Sequence, residues 1–265
     1  MKIGVFDSGF GGLTVLRELL AAIPQADYLY LGDTARLPYG SKSAATVARY
    51  AVSSVEFLIQ HGAEYVVIAC NTASALAMDS IRVAVRTEVL GVIAPGARAA
   101  SAITRNKSVY VIGTAATVSS HAYERELRKF GISAIEKACP LFVPLVEEGW
   151  IDHPVTEQVA HIYLRELEEE QRGRDGFADV LVLGCTHYPL LKPLLHRILR
   201  DKLQLVDSAQ ATAHDAATAL GIQRVSSRTP VVQFFATDSV NKFQILGSRF
   251  LQREIDHVTL ITLPE

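Results

Sequence analysis

Two of the three cysteines, Cys70 and Cys185, sit in the same local pattern. Cys70 belongs to Ala69-Cys70-Asn71-Thr72, after the apolar run Tyr65-Val66-Val67-Ile68. Cys185 belongs to Gly184-Cys185-Thr186-His187, after Val180-Leu181-Val182-Leu183. Each run reads as a buried parallel strand, and each motif precedes a segment able to start a helix. Ligands of open α/β sheets bind beyond the carboxyl ends of the strands. The two thiols are 115 residues apart (185 − 70), which suggests two halves facing one another. One acid/base thiol on each side of a small substrate suits stereoinversion at an acidic C–H beside a carboxylate. One group removes the proton from one face while the other delivers a proton to the opposite face. Thiol and thiolate exchange roles for the reverse direction.

A free thiol is only slightly ionised at neutral pH, and helix amino termini or a histidine cation increase that fraction. His187 and Asp7, the latter at the end of the first strand, can orient the thiols or relay protons. Ser8, Asn71, Thr72, Thr117 and Thr186 offer neutral donors and acceptors for carboxylates and an amine. Against this stands the ordinary role of cysteine as a small buried hydrophobe. Cys139, before Pro140, is assigned to that class; the matched surroundings of Cys70 and Cys185 separate them from it. Taken alone, His187 reads as a satisfied polar residue, Asp33 as the cap of the following turn, and Glu147 and Glu148 as solvated side chains.

These residues require positioning elements, and the chain supplies them in alternation. Ile3–Phe6 is a strand, followed by Gly9, Gly11 and Gly12 and an amphipathic helix. Position 14 is Thr, so the dinucleotide fingerprint G-x-G-x-x-G is absent, and the glycines read as a tight strand-to-helix turn. Tyr28–Leu31 is the second strand, and Pro38-Tyr39-Gly40-Ser41 is a candidate ligand loop. Helices are expected at about 43–60, 72–85, 98–104 (after a break at Pro95), 119–130, 156–170, 190–200 and 209–220. Val143–Gly149 reads as a turn and Arg172-Gly173-Arg174-Asp175-Gly176 as a polar surface loop. The expected fold class is α/β: two pseudo-symmetric, mostly parallel-sheet α/β domains facing each other across an active-site cleft. The boundaries expected are 1–94 with 207–265 for the first domain, which is discontinuous, and 95–206 for the second, inserted domain.

Composition bounds the function. The chain has 265 residues, 49% hydrophobic and 20% charged, with a formal net charge of −2. That is enough for a large core, and it leaves no basic footprint for nucleic acid. No apolar run approaches the roughly 20 residues of a membrane span, and Asp7 interrupts anything resembling a signal peptide. A cytoplasmic protein without membrane contact is expected. The odd cysteine count and the absence of Cys-x-x-Cys disfavour a disulfide framework or thiolate zinc site. Neither a metal nor an organic cofactor is expected.

Asp7-Ser8-Gly9, Gly32-Asp33-Thr34-Ala35-Arg36, Pro38-Tyr39-Gly40-Ser41, Cys70-Asn71-Thr72 and Gly184-Cys185-Thr186-His187-Tyr188-Pro189 together resemble the glutamate racemases of the aspartate/glutamate racemase family. Thr114-Ala115-Ala116-Thr117-Val118 and Val143-Pro144-Leu145-Val146-Glu147 support the match, which runs in order along nearly the whole chain. The resemblance implies cofactor-independent interconversion of L- and D-glutamate, the D-isomer supplying bacterial peptidoglycan. It implies that Cys70 acts on the α-proton of the D-isomer and Cys185 on that of the L-isomer, assisted by Asp7 and His187. It implies substrate contacts from Asp7, Ser8, Tyr39, Gly40, Asn71, Thr72, Thr186 and His187, with Pro38, Thr114 and Thr117 completing the expected set, and it implies a homodimer. Two other readings compete. Another two-cysteine racemase or isomerase, for aspartate, hydantoins or maleate, has the same paired thiols. A non-catalytic two-lobed module holding a small carboxylate has no need of them.

Overall fold

The computed structural model describes residues 1–173, 176–200, 202–222 and 228–264. The polar loop expected at 172–176 therefore lies partly outside the described residues. In chain order the elements are β1 (Lys2–Asp7), α1 (Leu13–Ala22), β2 (Asp27–Gly32), α2 (Ala44–Gln60), β3 (Tyr65–Ile68), α3 (Asn71–Leu76), α4 (Met78–Ala84) and β4 (Glu88–Gly91). They continue with α5 (Ile93–Ile103), β5 (Ser108–Gly113), α6 (Ala115–Ser119), α7 (Ala122–Arg128), β6 (Ser133–Ala138), α8 (Phe142–Glu147), α9 (Pro154–Gln171) and β7 (Val180–Gly184). The last are α10 (Lys192–Leu199), β8 (Gln204–Asp207), α11 (Ser208–Ala219), β9 (Val232–Ala236), α12 (Val240–Leu251) and β10 (Thr259–Leu260).

The strands form two sheets, ordered β10-β9-β2-β1-β3-β4 and β6-β5-β7-β8. Every pairing is parallel. The repeat is visible in the order itself: β2-β1-β3-β4 and β6-β5-β7-β8 are the same arrangement, so β1 corresponds to β5 and β3 to β7. These four strands are buried at nearly every position. That explains their continuous apolar runs, because a parallel strand covered on both faces has no polar side. Burying each Val, Leu or Ile contributes about 1.5–3 kcal/mol. β9 and β10 extend the first sheet beyond β2, and α11 packs against both α1 and α5.

Several helices differ from the periodicity reading. The helix expected at 72–85 is two, α3 and α4, parted at Ala77 with φ −119° and ψ −8°. Ser74 ties α3 to the sheet ends: its hydroxyl donates to the Ile68 carbonyl and accepts from the Val92 N–H. The helix expected at 119–130 is interrupted by His121, whose φ of 52° is left-handed. Pro95 does not break α5, and Pro144 lies inside α8 where a turn was expected. Both prolines fall in a first helical turn, where the missing N–H has no intrahelical acceptor. The segment from Tyr188 to Leu191 is a 3-10 turn rather than the start of α10. No helix of the described residues is long and apolar enough to cross a membrane.

Candidate active site

The carboxyl ends of β1 and β3 face those of β5 and β7. A cavity of about 40 Å³ lies between them, lined by both Cys70 and Cys185. The first sheet also sends Ser8, Pro38, Tyr39, Gly40, Asn71 and Thr72 to its wall. The second sends Thr114, Thr186 and His187. Leu37 and Val143 line it as well; neither is among the expected site residues, although Val143 opens the Val143–Glu147 block that supports the resemblance. Asp7 and Thr117, both fully buried, stand behind the lining. Of the cavity volume, one water needs about 10–15 Å³, so the cleft holds only a few waters.

The two thiols are held differently. Cys70 is the N-cap of α3: its Sγ accepts from the Ala73 N–H at 3.4 Å and donates to Ser8 Oγ at 3.5 Å. Burial and the nearby Asp7 charge push the Cys70 thiol up to about 12, against the pull of the Ser8 and Ala73 contacts. Cys185 has no matching helix start, contrary to the sequence reading; a 3-10 turn follows, and the Tyr188 N–H donates to its carbonyl. Its sulfur instead lies 3.9 Å from Nδ1 of His187. The other ring nitrogen of His187, Nε2, lies 3.2 Å from Oε1 of Glu147. Burial alone would lower the His187 pKa. The Cys185 sulfur and Glu147 carboxylate outweigh it and raise the pKa to about 10.

Glu147 is therefore not the solvated side chain that the sequence suggests. It is largely covered, and its second oxygen accepts from Lys242 Nζ at 3.1 Å. Burial opposes ionisation, yet His187 and Lys242 hold the carboxyl below its ordinary range. Glu148 is exposed, as expected. Asp33 does not cap the next turn. Fully buried, it accepts from the Tyr39 hydroxyl at 2.5 Å and from Thr237 at 2.9 Å. It thereby fixes the loop that presents Tyr39 and Gly40, where Leu37–Pro38 is a cis peptide. Asp7 accepts from the Gly9 N–H at 2.8 Å. Burial raises its pKa, partly offset by the His187 charge and by the Gly9, Gly12 and Thr186 donors.

Several contacts join the two walls. Thr72 Oγ1 lies 2.9 Å from Thr114 Oγ1 and 3.3 Å from Thr117 Oγ1. The Tyr123 hydroxyl donates to Asn71 Oδ1 at 2.7 Å. Asn71 Nδ2 is buried without a hydrogen-bond partner, which makes it a donor available to a ligand in the cleft it lines. Gly11 explains the glycine-rich turn: a Cβ there would stand 2.2 Å from Thr186 Oγ1 and 2.6 Å from His187 Nδ1. The turn is a close-approach surface, as the tight-turn reading implies. Cys139 is a fully buried core residue with its thiol pKa pushed upward by burial. Among the described residues, the cluster of metal-ligand type is His121, Glu124 and Glu136, and none of these lines the cleft.

Known proteins resemble this chain in sequence and fold. Residues 3–216 match the Asp/Glu/Hydantoin racemase family. A glutamate racemase of Koribacter versatilis is 54% identical, covering 98% of this chain and 97% of its own. The crystal structure of a glutamate racemase isoform from Bacillus anthracis has a TM-score of 0.90 at 36% identity, covering 99% of this chain and 97% of that one. That of the Francisella tularensis glutamate racemase in complex with D-glutamate has a TM-score of 0.86 at 35% identity, covering 98% and 97%. With this extent of similarity over nearly the whole chain, the chain belongs to the Asp/Glu/hydantoin racemase family.

Proposed function

We propose that this protein interconverts L- and D-glutamate without a cofactor, by proton exchange between Cys70 and Cys185. The observation that carries the reading is that both sulfurs line one cavity from opposite walls, at the ends of the corresponding strands β3 and β7. Glutamate is favoured as substrate by the relatives that share the whole chain.

In the L-to-D direction the Cys185 sulfur takes the α-proton. The C–H electron pair stays on the α-carbon and delocalises into the α-carboxylate, while an S–H bond forms. Cys70 gives its proton to the opposite face, and its sulfur keeps the electron pair. The site suits this direction: Cys70, whose thiol pKa is raised by burial and Asp7, stands opposite a Cys185 sulfur 3.9 Å from Nδ1 of His187. In the D-to-L direction the roles reverse, with Cys70 as base. Asp7 and His187 assist in shifting protons at the two sulfurs. Asn71 Nδ2 donates to a substrate carboxylate, and Ser8, Pro38, Tyr39, Gly40, Thr72, Thr114, Thr117 and Thr186 shape and line the binding region. The two halves, 1–94 with 207–265 and 95–206, separate to admit glutamate, since the cavity has room for only a few waters. The same reading places the protein in the cytoplasm as a homodimer that supplies D-glutamate for peptidoglycan.

The test is proton NMR of each glutamate isomer in D₂O with native protein, Cys70→Ser and Cys185→Ser. Native protein should wash deuterium into the α-position of both isomers as optical rotation decays, and each variant should lose racemisation. Exchange with aspartate but not glutamate would keep the reaction class and change the substrate. Exchange with neither, with folded variants binding as native does, would remove the paired-thiol mechanism.

A further inference from the structure

We propose that Tyr123 is a positioning residue that sets which end of the Asn71 side chain faces the substrate. The inference rests on the racemase reading and deepens it. Tyr123 lies on α7 beside the second sheet, whereas Asn71 opens α3 at the end of β3 in the first. The Tyr123 hydroxyl is fully buried and donates to Asn71 Oδ1 at 2.7 Å. An amide held through its oxygen has only its NH₂ left to serve the cleft. Asn71 Nδ2 is buried and has no partner in the protein.

The proton on Tyr123 is itself directed. Ser208, the first residue of α11, lies close by: a Cβ on Gly96 would stand 3.1 Å from Ser208 Cβ and 3.2 Å from the Tyr123 hydroxyl oxygen. A phenol has one hydrogen to donate, and here it goes to Asn71. The bond from Tyr123 to Asn71 therefore leaves an N–H donor at the substrate. A carboxylate is matched by that donor, whereas a flipped amide would present an acceptor and favour the ammonium group instead.

The surroundings are shaped for this phenol. Gly184 ends β7 immediately before Cys185, and a Cβ there would lie 3.0 Å from Tyr123 Cε2. The residue before one reacting thiol thus leaves room for the ring that orients a ligand donor beside the other. Tyr123 does not line the cavity and touches neither sulfur in any hydrogen bond, so its effect passes through Asn71.

The experiment is a double-mutant cycle on the full chain with Tyr123→Phe, Asn71→Ala and the pair, reading kcat and KM for L-glutamate and following thermal unfolding. Phe keeps the ring and removes one hydroxyl. A neutral hydrogen bond of this kind corresponds to a rise in KM of about tenfold for Tyr123→Phe. In the Asn71→Ala background the same change should have no further effect, because the group it orients is gone. Additive losses would overturn the proposal and make Tyr123 a packing residue. An unchanged KM in Tyr123→Phe with active native protein would overturn it as well. Tyr123→Trp, which disrupts the packing, should lower the unfolding temperature, whereas Tyr123→Phe should raise KM with a much smaller change in unfolding; a KM shift that merely tracks unfolding across both would also overturn it. If native protein neither exchanges the α-proton of glutamate nor binds it, the racemase reading fails first, and that outcome is separate from the cycle.

Discussion

His187 and Glu147 are 40 residues apart in the chain, yet Nε2 of the first lies 3.2 Å from Oε1 of the second in a covered site. This contact fixes the ring so that Nδ1 faces the Cys185 sulfur. It also keeps both partners ionised over a wide range: the His187 pKa is raised to about 10, and that of Glu147 is lowered.

The first expectation concerns titration. A histidine raised from its ordinary 6.5 to about 10 contributes stability that is fully present below 6.5 and is lost as pH rises through about 10. Glu147 contributes stability that is present above its ordinary 4.5 and is lost as pH falls through its lower folded value. The pair is thus most favourable between those limits. NMR of the His187 Cε1–H should show a native midpoint well above neutrality, and Glu147→Gln should lower it by about one unit or more. A native midpoint near 6.5 would contradict the charged pair.

The two thiols should differ in reactivity. Burial and Asp7 keep Cys70 protonated up to about pH 12, whereas Cys185 has the His187 cation at 3.9 Å. Since the thiolate is the nucleophile, iodoacetamide at pH 7.5 should alkylate Cys185 well before Cys70, and Cys139 should stay unmodified. The Cys70 rate should keep climbing as pH rises beyond 9. Peptide mass spectrometry over a time course measures all three; equal rates at Cys70 and Cys185 would contradict the asymmetry.

Much of this site is legible in the sequence, for local reasons. Cys70, Asn71 and Thr72 follow a strand, and so do Cys185, Thr186 and His187; a parallel strand's carboxyl end is a place the chain itself specifies. The repeat of strand runs indicates two related halves, whereas the order of strands within each sheet is set by their pairing. Glu147 was not legible because its partner, His187, comes from β7's end and its helix hides behind Pro144. Tyr123 was not legible because its bond to Asn71 crosses between the two walls. The difference between the thiols was likewise hidden: the two motifs look alike, but only Cys70 caps an α-helix. Pairwise tertiary contacts decide such roles, and periodicity carries no information about them.

Lys242 on α12 and Glu147 on α8 join the halves by an ion pair at 3.1 Å, with the lysine side chain about half exposed. Exposed pairs contribute about 1 kcal/mol or less. Lys242→Met should lower the unfolding temperature by no more than about 2–4 °C. The difference from native should shrink between 50 mM and 500 mM NaCl (roughly 14 Å to 4 Å of screening length). A loss that is insensitive to salt would assign the lysine's contribution to packing of its stem over Phe10, where Nζ lies 5.6 Å from the ring centroid.

Gly11→Ala tests whether the first strand-to-helix turn is part of the active geometry. The added Cβ would stand 2.2 Å from Thr186 Oγ1 and 2.6 Å from His187 Nδ1, and both are buried. These distances cannot persist, so either the turn shifts or Thr186 and His187 move away. The turn has little freedom, because its carbonyls accept from the first amides of α1 and Thr14 Oγ1 donates to the Gly11 carbonyl at 2.9 Å. The second wall is therefore the side that gives, and the His187 ring loses its line between Cys185 and Glu147. Overpacking of this kind costs about 1–3 kcal/mol of stability. Activity should fall further than stability implies, by about 100-fold in kcat/KM, since a misplacement of about 1 Å at a reacting group has that effect. Racemisation rates and thermal unfolding of the same preparation separate the two. Native-like activity with the alanine in place would mean that the halves close without His187 in the position seen here.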